Sequence, residues 1–262
     1  MQEKNNSMYN WPHYYDWTST GMENDTCYYT ELAKLHKGPV LELGCGTGRI
    51  SLAIARESIS LVGIDFSAQM LQSARKKAKA MALAGRTQWI EADMADFHVP
   101  NNRTFPLIIS PYRSFQHLLK VEDQLRTLRQ VRKHLRQDGV FAFHLFSPNM
   151  EQLLDLNRSY QFRGNYEVPG SYETVDVYDY TELDSFRQLL HVTRYYERFE
   201  ETGKMIERVK SDFSIRYTFP TELRHLLAVN GFRIQNMYGD FDGTPFHEES
   251  EEMVIEAVLL VR

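Results

Sequence analysis

Short apolar runs alternate with amphipathic segments along the first 145 residues. The runs at 40–43, 60–64, 87–90, 107–109 and 140–145 are predicted strands, because each is short, apolar and bounded by turn-forming residues. Segments with helical periodicity lie around them, at about 26–37, 49–56, 68–84 and 122–135. Strands that alternate with helices predict an α/β fold, with a doubly wound and mostly parallel sheet.

The pattern changes after the fifth predicted strand. From about residue 166 to 217, β-branched and aromatic residues alternate with charged ones, and 201–204 reads as a hairpin turn. This alternation predicts an antiparallel β insertion after the fifth strand. A helix from Pro220 to Asn230 and strands at 232–238 and 253–261 then complete a seven-stranded sheet. The predicted domains are 1–148 with 218–262, and the insertion 149–217 as a cap over the active site.

A glycine-rich turn joins the first predicted strand to the helix that follows. It contains Gly44, Cys45, Gly46 and Gly48. Glycines let the chain turn sharply and let a ligand approach the backbone. The dinucleotide fingerprint needs a further small residue, and that place falls on Arg49 or Ser51, depending on the glycine from which it is counted. A nicotinamide-dependent oxidoreductase is therefore the less favoured alternative.

The residues Glu42, Gly44, Gly46 and Gly48 resemble the first motif of the class I S-adenosylmethionine (SAM)-dependent methyltransferases. The segments 63–67 and 91–94 resemble the second strand and the end of the third strand of that family. More loosely, the whole chain resembles small-molecule methyltransferases, including amino-sugar N-methyltransferases. The resemblance implies a Rossmann-like methyltransferase fold, SAM as cofactor, and methyl transfer to nitrogen or oxygen of a small-molecule metabolite.

The resemblance also implies roles for individual residues in cofactor binding. Glu42 would accept a hydrogen bond from the cofactor's amino group, Asp65 from its ribose hydroxyls and Asp93 from its adenine amino group. The remaining residues would surround the cofactor: Gly44, Cys45, Gly46 and Gly48 beneath its methionine part, Phe66 and Met94 on the adenine faces, and Tyr15 as a lid. The alternative for both aspartates is a turn-forming or helix-capping role at strand ends.

Candidate substrate and catalytic residues lie near the ends of the fourth and fifth strands and in the insertion. Methyltransferases of base nitrogens often carry Asn/Asp-Pro-Pro-Tyr after the fourth strand, but Ile109 occupies the polar position here, which disfavours base methylation. We predict that Tyr112, Arg113 and Tyr178 bind substrate. His117 and His144 are candidate general bases, because imidazole titrates near neutral pH. A hydrogen-bonded structural role is the alternative for each histidine.

Composition limits the classes of partner. The net charge is −5 and the sequence pI is about 6.0, which argues against a nucleic-acid partner. Two cysteines without metal-ligand spacing predict no metal site. We expect no membrane partner and a cytoplasmic location, because no run reaches about 18 apolar residues and no signal peptide is evident. A homodimer is possible, since an exposed hairpin edge invites pairing. A non-catalytic SAM-binding regulator is a further alternative function.

Overall fold

The computed structural model describes residues 7–260, and these form two compact units. The larger unit comprises residues 21–147 and 218–260, and the smaller one comprises residues 7–20 and 148–217. The elements of both, in chain order, are α1 (Pro12–Thr18), α2 (Asp25–His36), β1 (Val40–Leu43), α3 (Arg49–Arg56), β2 (Leu61–Asp65), α4 (Ala68–Ala80), β3 (Thr87–Glu91), β4 (Phe105–Ser110), α5 (Val121–His134), β5 (Leu135–Phe146), α6 (Met150–Leu156), β6 (Ser159–Glu167), β7 (Thr174–Asp184), β8 (Leu189–Phe199), β9 (Met205–Arg216), α7 (Pro220–Val229), β10 (Phe232–Tyr238) and β11 (Glu252–Leu259).

The larger unit is built on a seven-stranded sheet with the order β10-β11-β5-β4-β1-β2-β3. Its strands β1 to β5 run parallel, and β11 is antiparallel to both of its neighbours. This arrangement confirms the predicted doubly wound, seven-stranded and mostly parallel fold. The carboxyl ends of β1, β2 and β3 are therefore neighbours at one edge of the sheet.

Helices cover both faces of this sheet, and every residue of β1, β2 and β4 is buried as a result. On one face Leu41 and Phe141 belong to a core that includes Leu128 of α5 and Leu223 of α7. On the other face Val40 and Leu107 belong to a core that includes residues of α2 and α3. The continuous apolar runs of the sequence thus correspond to strands buried on both sides.

One helix ends earlier than its periodicity predicts. The pattern predicts a helix to about residue 84, whereas α4 ends at Ala80. Ala82 adopts a left-handed φ of 58°, and the Leu83 N–H donates to the Ala78 carbonyl at 2.8 Å. This local hydrogen bond closes the helix and turns the chain towards β3.

The smaller unit is an antiparallel sheet with the order β6-β7-β8-β9. It contains β6 and α6, which the alternation from residue 166 onward does not predict. In β6 the aromatic side chains Tyr160 and Phe162 are exposed, and a register shift occurs at Gly164, whose φ is 144°. Exposed aromatics and a bulge remove the polar–apolar alternation that identifies the other strands.

The aromatic N-terminal segment packs within the smaller unit. Tyr14 of α1 is fully buried, stacks on Tyr196 with ring centroids 4.9 Å apart, and donates a hydrogen bond to Glu207 at 2.6 Å. Val175 and Val177 of β7 join the same core. The predicted boundary assigns residues 1–148 to one domain, whereas packing groups residues 7–20 with the insertion.

Within residues 7–260, no helix is long and apolar enough to cross a membrane.

Candidate functional site

The glycine-rich loop between β1 and α3 has a conformation that depends on glycine. Gly44, Gly46 and Gly48 have φ values of 72°, 54° and 86°, which side chains with a Cβ rarely adopt. The N–H groups of Gly44 and Cys45 both donate to the carbonyl of Ile64 on β2, at 2.8 and 2.9 Å. The loop is thereby anchored at the carboxyl ends of β1 and β2.

Gly44 also brings three strand ends together. A Cβ at this position would lie 2.7 Å from Ser114, which follows β4, and 3.4 Å from the Cε of Met94, which follows β3. A contact of 2.7 Å is too short for carbon atoms, so a side chain at Gly44 would displace the neighbouring loop. The predicted cofactor residues Gly44 and Met94 are therefore adjacent.

Asp65 lies at the end of β2 with its carboxylate directed at the glycine-rich loop. Its Oδ2 accepts from the Gly46 N–H at 2.8 Å, and its Oδ1 accepts from the Ser67 N–H at 2.9 Å. Burial raises the pKa of Asp65, and the hydrogen bonds from Ser67 and Gly46 oppose that rise. Each carboxylate oxygen has a second lone pair, so the same group can accept from a ligand as well.

Glu42 is buried in β1, with 2 % of its surface exposed. The Ser51 hydroxyl of α3 donates to its Oε2. Burial raises the pKa of Glu42 to about 8, against the opposing effects of the Ser51 hydrogen bond and the Arg49 charge. A bound cation would favour the ionised form, so the position suits an ammonium group.

Asp93 and Phe66 are less enclosed than Asp65. Asp93 is half-buried, and its Oδ1 accepts from the Ala95 N–H at 2.9 Å, so a turn-forming role is present. Phe66 is 38 % exposed. Glu42 lies in β1, Asp65 ends β2, and Phe66 and Asp93 follow β2 and β3, all near a loop in which Gly44 leaves no room for a Cβ. This set of residues fits an adenosyl cofactor that carries an ammonium group and ribose hydroxyls.

The end of β4 carries a strained pair of residues. Tyr112 and Arg113 have φ values of 51° and 59°, and each non-glycine residue in this region costs about 1–3 kcal/mol. The Arg113 guanidinium forms an ion pair with both oxygens of Glu252 at the start of β11. The guanidinium of Arg49 lies 5.3 Å from the centre of the Tyr112 ring. Tyr112 and Arg113, two of the three predicted substrate residues, are thus held at this edge by charged partners.

Arg49 belongs to a partly buried ion pair that the sequence does not predict. Its Nη1 and Nη2 donate to the two oxygens of Asp25 at 2.7 and 2.6 Å. Asp25 is the first residue of α2, after the capping residue Asn24, and its side chain binds Arg49. Gly21, at a φ of 103°, lies so close that a Cβ would be 2.3 Å from Arg49 Nη1. The guanidinium is thus fixed between α2 and the start of α3.

His144 and His117 occupy different environments. His144 is fully buried on β5, with its Nδ1 2.9 Å from the Tyr29 hydroxyl and Phe241 4.8 Å away. Burial, followed by the charges of Arg113 and Arg49, lowers the pKa of His144 well below its ordinary value. This neutral, enclosed ring matches the structural alternative, and a general-base role for it stays a prediction. His117 is half-buried and ends a 3₁₀ turn after β4.

The predicted site residues are divided between the two units. The larger unit holds Glu42, the glycine-rich loop, Asp65, Asp93 and their neighbours, while Cys45 is buried beside Gly63 of β2. Tyr15 lies on α1 and Tyr178 on β7, both in the smaller unit and both half-buried. The roles of all these residues remain predictions.

Comparison with known proteins identifies the central part of the larger unit. Residues 40–139 match the model of a family described as a methyltransferase domain. A putative methyltransferase, YqeM of Bacillus subtilis, is 25% identical over 242 residues, which is 87% of each chain. The residues matched by the family model include the glycine-rich loop, Asp65 and the end of β4.

Solved structures share the fold over nearly the whole chain. The CcbJ methyltransferase of Streptomyces caelestis has a TM-score of 0.80 at 21% identity, with 98% of both chains covered. The sugar N-methyltransferase KedS8 of a Streptoalloteichus species has a TM-score of 0.68 at 18% identity, with 91% of this chain and 88% of that chain covered. The methyltransferase match replaces the oxidoreductase alternative, and the non-catalytic alternative with it. Residues 40–139 thus form a methyltransferase domain, and the chain is a SAM-dependent methyltransferase with SAM as its cofactor.

Proposed function

We propose that this methyltransferase transfers a methyl group to an amine nitrogen of a small-molecule metabolite, with an amino sugar as the favoured substrate class. An oxygen acceptor is the alternative within the same chemistry. The observation that carries the proposal is that packed side chains bound the carboxyl edge of the larger unit on its β11 side. A polymeric substrate needs an open edge, whereas an enclosed one suits a small molecule.

The segment that follows β10 packs along one side of this edge. Phe241 is buried, with its ring 5.7 Å from Tyr28 and 4.8 Å from His144. The ion pair between Arg113 and Glu252 fixes the end of β4 to the start of β11. The space beyond β4 is therefore bounded on the β11 side by packed side chains.

Charge and similarity support the same class of substrate. A net charge of −5 disfavours the phosphate-rich surface of a nucleic acid. The amine is favoured over the hydroxyl by the likeness to KedS8, whose name describes it as a sugar N-methyltransferase. The chain's negative charge also favours a cationic amine over an anionic substrate.

The residues of the chain contribute mainly by position. SAM, when bound, supplies an electrophilic methyl group on its sulfonium. Glu42 and Asp65 would fix the cofactor, and Tyr112 and Arg113 would orient the acceptor from the end of β4. Alignment of two reactants in this way supplies about 7–11 kcal/mol of the barrier in well-oriented systems. An amine that arrives protonated must also lose its proton, and His117 is the proposed acceptor of that proton.

A matched substrate panel tests the proposal. The purified protein is incubated with SAM and pairs of sugars that differ only in carrying an amino or a hydroxyl group, and S-adenosylhomocysteine release and product mass are followed. We expect turnover of at least one amino sugar, at least about tenfold faster than that of its hydroxyl partner. Equal turnover of both partners would contradict the nitrogen assignment, and turnover of RNA or protein alone would contradict the small-molecule class. Asp65→Ala serves as the control for cofactor-dependent turnover.

A further inference from the structure

The side chain of Trp89 on β3 extends across the neighbouring strand β2 to the glycine-rich loop. In the register of the sheet Trp89 is paired with Gly63 of β2, and residues paired in this way point to the same side of a sheet. A Cβ at Gly63 would lie 2.8 Å from both Cε3 and Cζ3 of the indole ring. Gly63 therefore leaves the space that the ring occupies, as glycine in a strand interior often does where another group approaches closely.

The outer edge of the indole ring lies against Gly48, the last glycine of the loop. A Cβ at Gly48 would lie 3.0 Å from Cη2 of Trp89. It would also lie 3.3 Å from Cβ of Ala74 on α4 and 3.5 Å from Cδ1 of Leu52 on α3. Gly48 is thus enclosed by the side chains of one strand and two helices.

The position of Gly48 affects the shape of the whole loop. Its N–H donates to the Cys45 carbonyl at 2.9 Å, and its carbonyl accepts from the Leu52 N–H at 2.9 Å, so Gly48 both closes a turn and begins α3. Gly46 lies within this turn and donates its N–H to Asp65 at 2.8 Å. A displacement of Gly48 would therefore move the backbone that faces Asp65, a predicted cofactor residue.

We propose that Trp89 is a positioning residue for the cofactor. Its indole ring, packed over Gly63 and against Gly48, holds the glycine-rich loop in the conformation that binds SAM. Trp89 acts through the loop and not by contact with the cofactor. This role concerns cofactor binding and does not depend on which molecule accepts the methyl group.

The composition of the loop explains why a rigid support matters. Glycine has more conformational freedom than any other residue, and Gly44, Gly46 and Gly48 all have positive φ values. A loop that adopts its binding conformation for only part of the time binds more weakly by that fraction. An indole ring has few rotatable bonds, so it can hold the loop at a low cost in side-chain entropy.

Calorimetric titration with S-adenosylhomocysteine tests this role without a methyl acceptor. Trp89→Leu keeps an apolar side chain on β3 but removes the ring. It should weaken binding by at least about tenfold, because a loop that is competent about one-tenth of the time binds about tenfold more weakly. Val131→Ala is the matched control, since Val131 is a fully buried residue of α5 in the same unit. This control should lower the denaturant midpoint of unfolding but should bind S-adenosylhomocysteine as the wild type does.

A second variant keeps the test decisive if Trp89→Leu does not fold. Trp89→Phe keeps an aromatic side chain on β3 but lacks the Cη2 edge that lies against Gly48, and it should weaken binding by at least about threefold. The melting temperature without ligand reports folding of each variant. Wild-type affinity in a folded Trp89 variant, or an equal loss of affinity in Val131→Ala, would overturn the proposal.

Discussion

Asp65 shows how one side chain can shape a loop and bind a ligand. Its carboxylate already accepts from the backbone of Gly46 and Ser67, and we expect it to accept from the ribose hydroxyls of the cofactor as well. Asp65→Ala should weaken S-adenosylhomocysteine binding by at least about tenfold, since hydrogen bonds to charged groups contribute about 1.5–3 kcal/mol each. Calorimetric titration measures this change. Asp155→Ala, an exposed position on α6, should bind as the wild type does, and unaltered affinity in Asp65→Ala would refute the placement.

Glu42 makes cofactor binding depend on pH. Burial raises its pKa to about 8, so at pH 7 the carboxyl is mostly protonated in the free protein. Binding of an ammonium group favours the carboxylate and lowers that pKa, so binding should release a proton and affinity should rise as the pH increases from 6 to 8. Titration in two buffers with different ionisation enthalpies measures the proton count. Glu42→Gln should abolish the release, and an equal count in both proteins would contradict the assignment.

The ionisation of Glu42 also makes folding stability depend on pH, in the direction opposite to that of cofactor affinity. Its folded pKa of about 8 lies above its ordinary value of 4.5, so the folded state holds this proton over the window between the two values while the unfolded state does not. The contribution of Glu42 to the free energy of unfolding therefore falls as pH rises through that window. Glu42→Gln should gain thermal stability relative to the wild type as pH increases from 5 to 8. A melting-temperature difference that is constant with pH would argue against a raised pKa.

Among elements, the strands of the larger sheet are the most predictable part of the molecule. Buried strands such as β1 and β2 read as apolar runs because helices cover both of their faces. β6 does not, since its aromatic residues face solvent and Gly164 interrupts the alternation. A single sequence indicates burial through the periodicity of its apolar residues, and β6 has no such periodicity.

The sequence predicts site residues that lie at the ends of recognisable strands. It does not predict contacts between side chains that come from distant segments of the chain. The strand pattern predicts the glycine-rich loop and the place of Asp65 at the end of β2, and the resemblance to methyltransferases implies their cofactor roles. The ion pair of Asp25 with Arg49 joins residues 24 positions apart, and it depends on how α2 packs against α3. The burial of His144 depends likewise on Tyr29 and Phe241, which come from distant segments.

The Asp25–Arg49 pair should contribute strongly to the stability of the larger unit. The Asp25 side chain is 2% exposed and that of Arg49 is 25% exposed, and removing one partner of a buried pair costs about 3–5 kcal/mol. Asp25→Asn should therefore lower the free energy of unfolding by about 3 kcal/mol in denaturant titrations. Glu31→Gln, which removes an exposed charge from the same helix, should produce no measurable change. Similar losses in the two variants would show that the pair is not the cause.

For the whole molecule, hydrogen exchange tests which of the two units contains the residues that bind the cofactor. S-adenosylhomocysteine should slow amide exchange in segments 42–49, 63–67 and 91–95 of the larger unit, because these carry the predicted cofactor residues. If Tyr15 acts as a lid, residues 12–18 of α1 should be protected too. Protection confined to the larger unit would remove Tyr15 from the cofactor site, and protection confined to the smaller unit would contradict the whole assignment.

The helix α1 has a consequence for synthesis of the chain. The hydrogen bond from Tyr14 to Glu207 joins residues 193 positions apart. At about 5–20 residues per second on the ribosome, the strand that holds Glu207 is made roughly 10 to 40 s after this helix. A nascent chain that stops before residue 207 therefore carries aromatic side chains whose packing partners have not been made, and α1 can reach its native environment only after β9 has been synthesised.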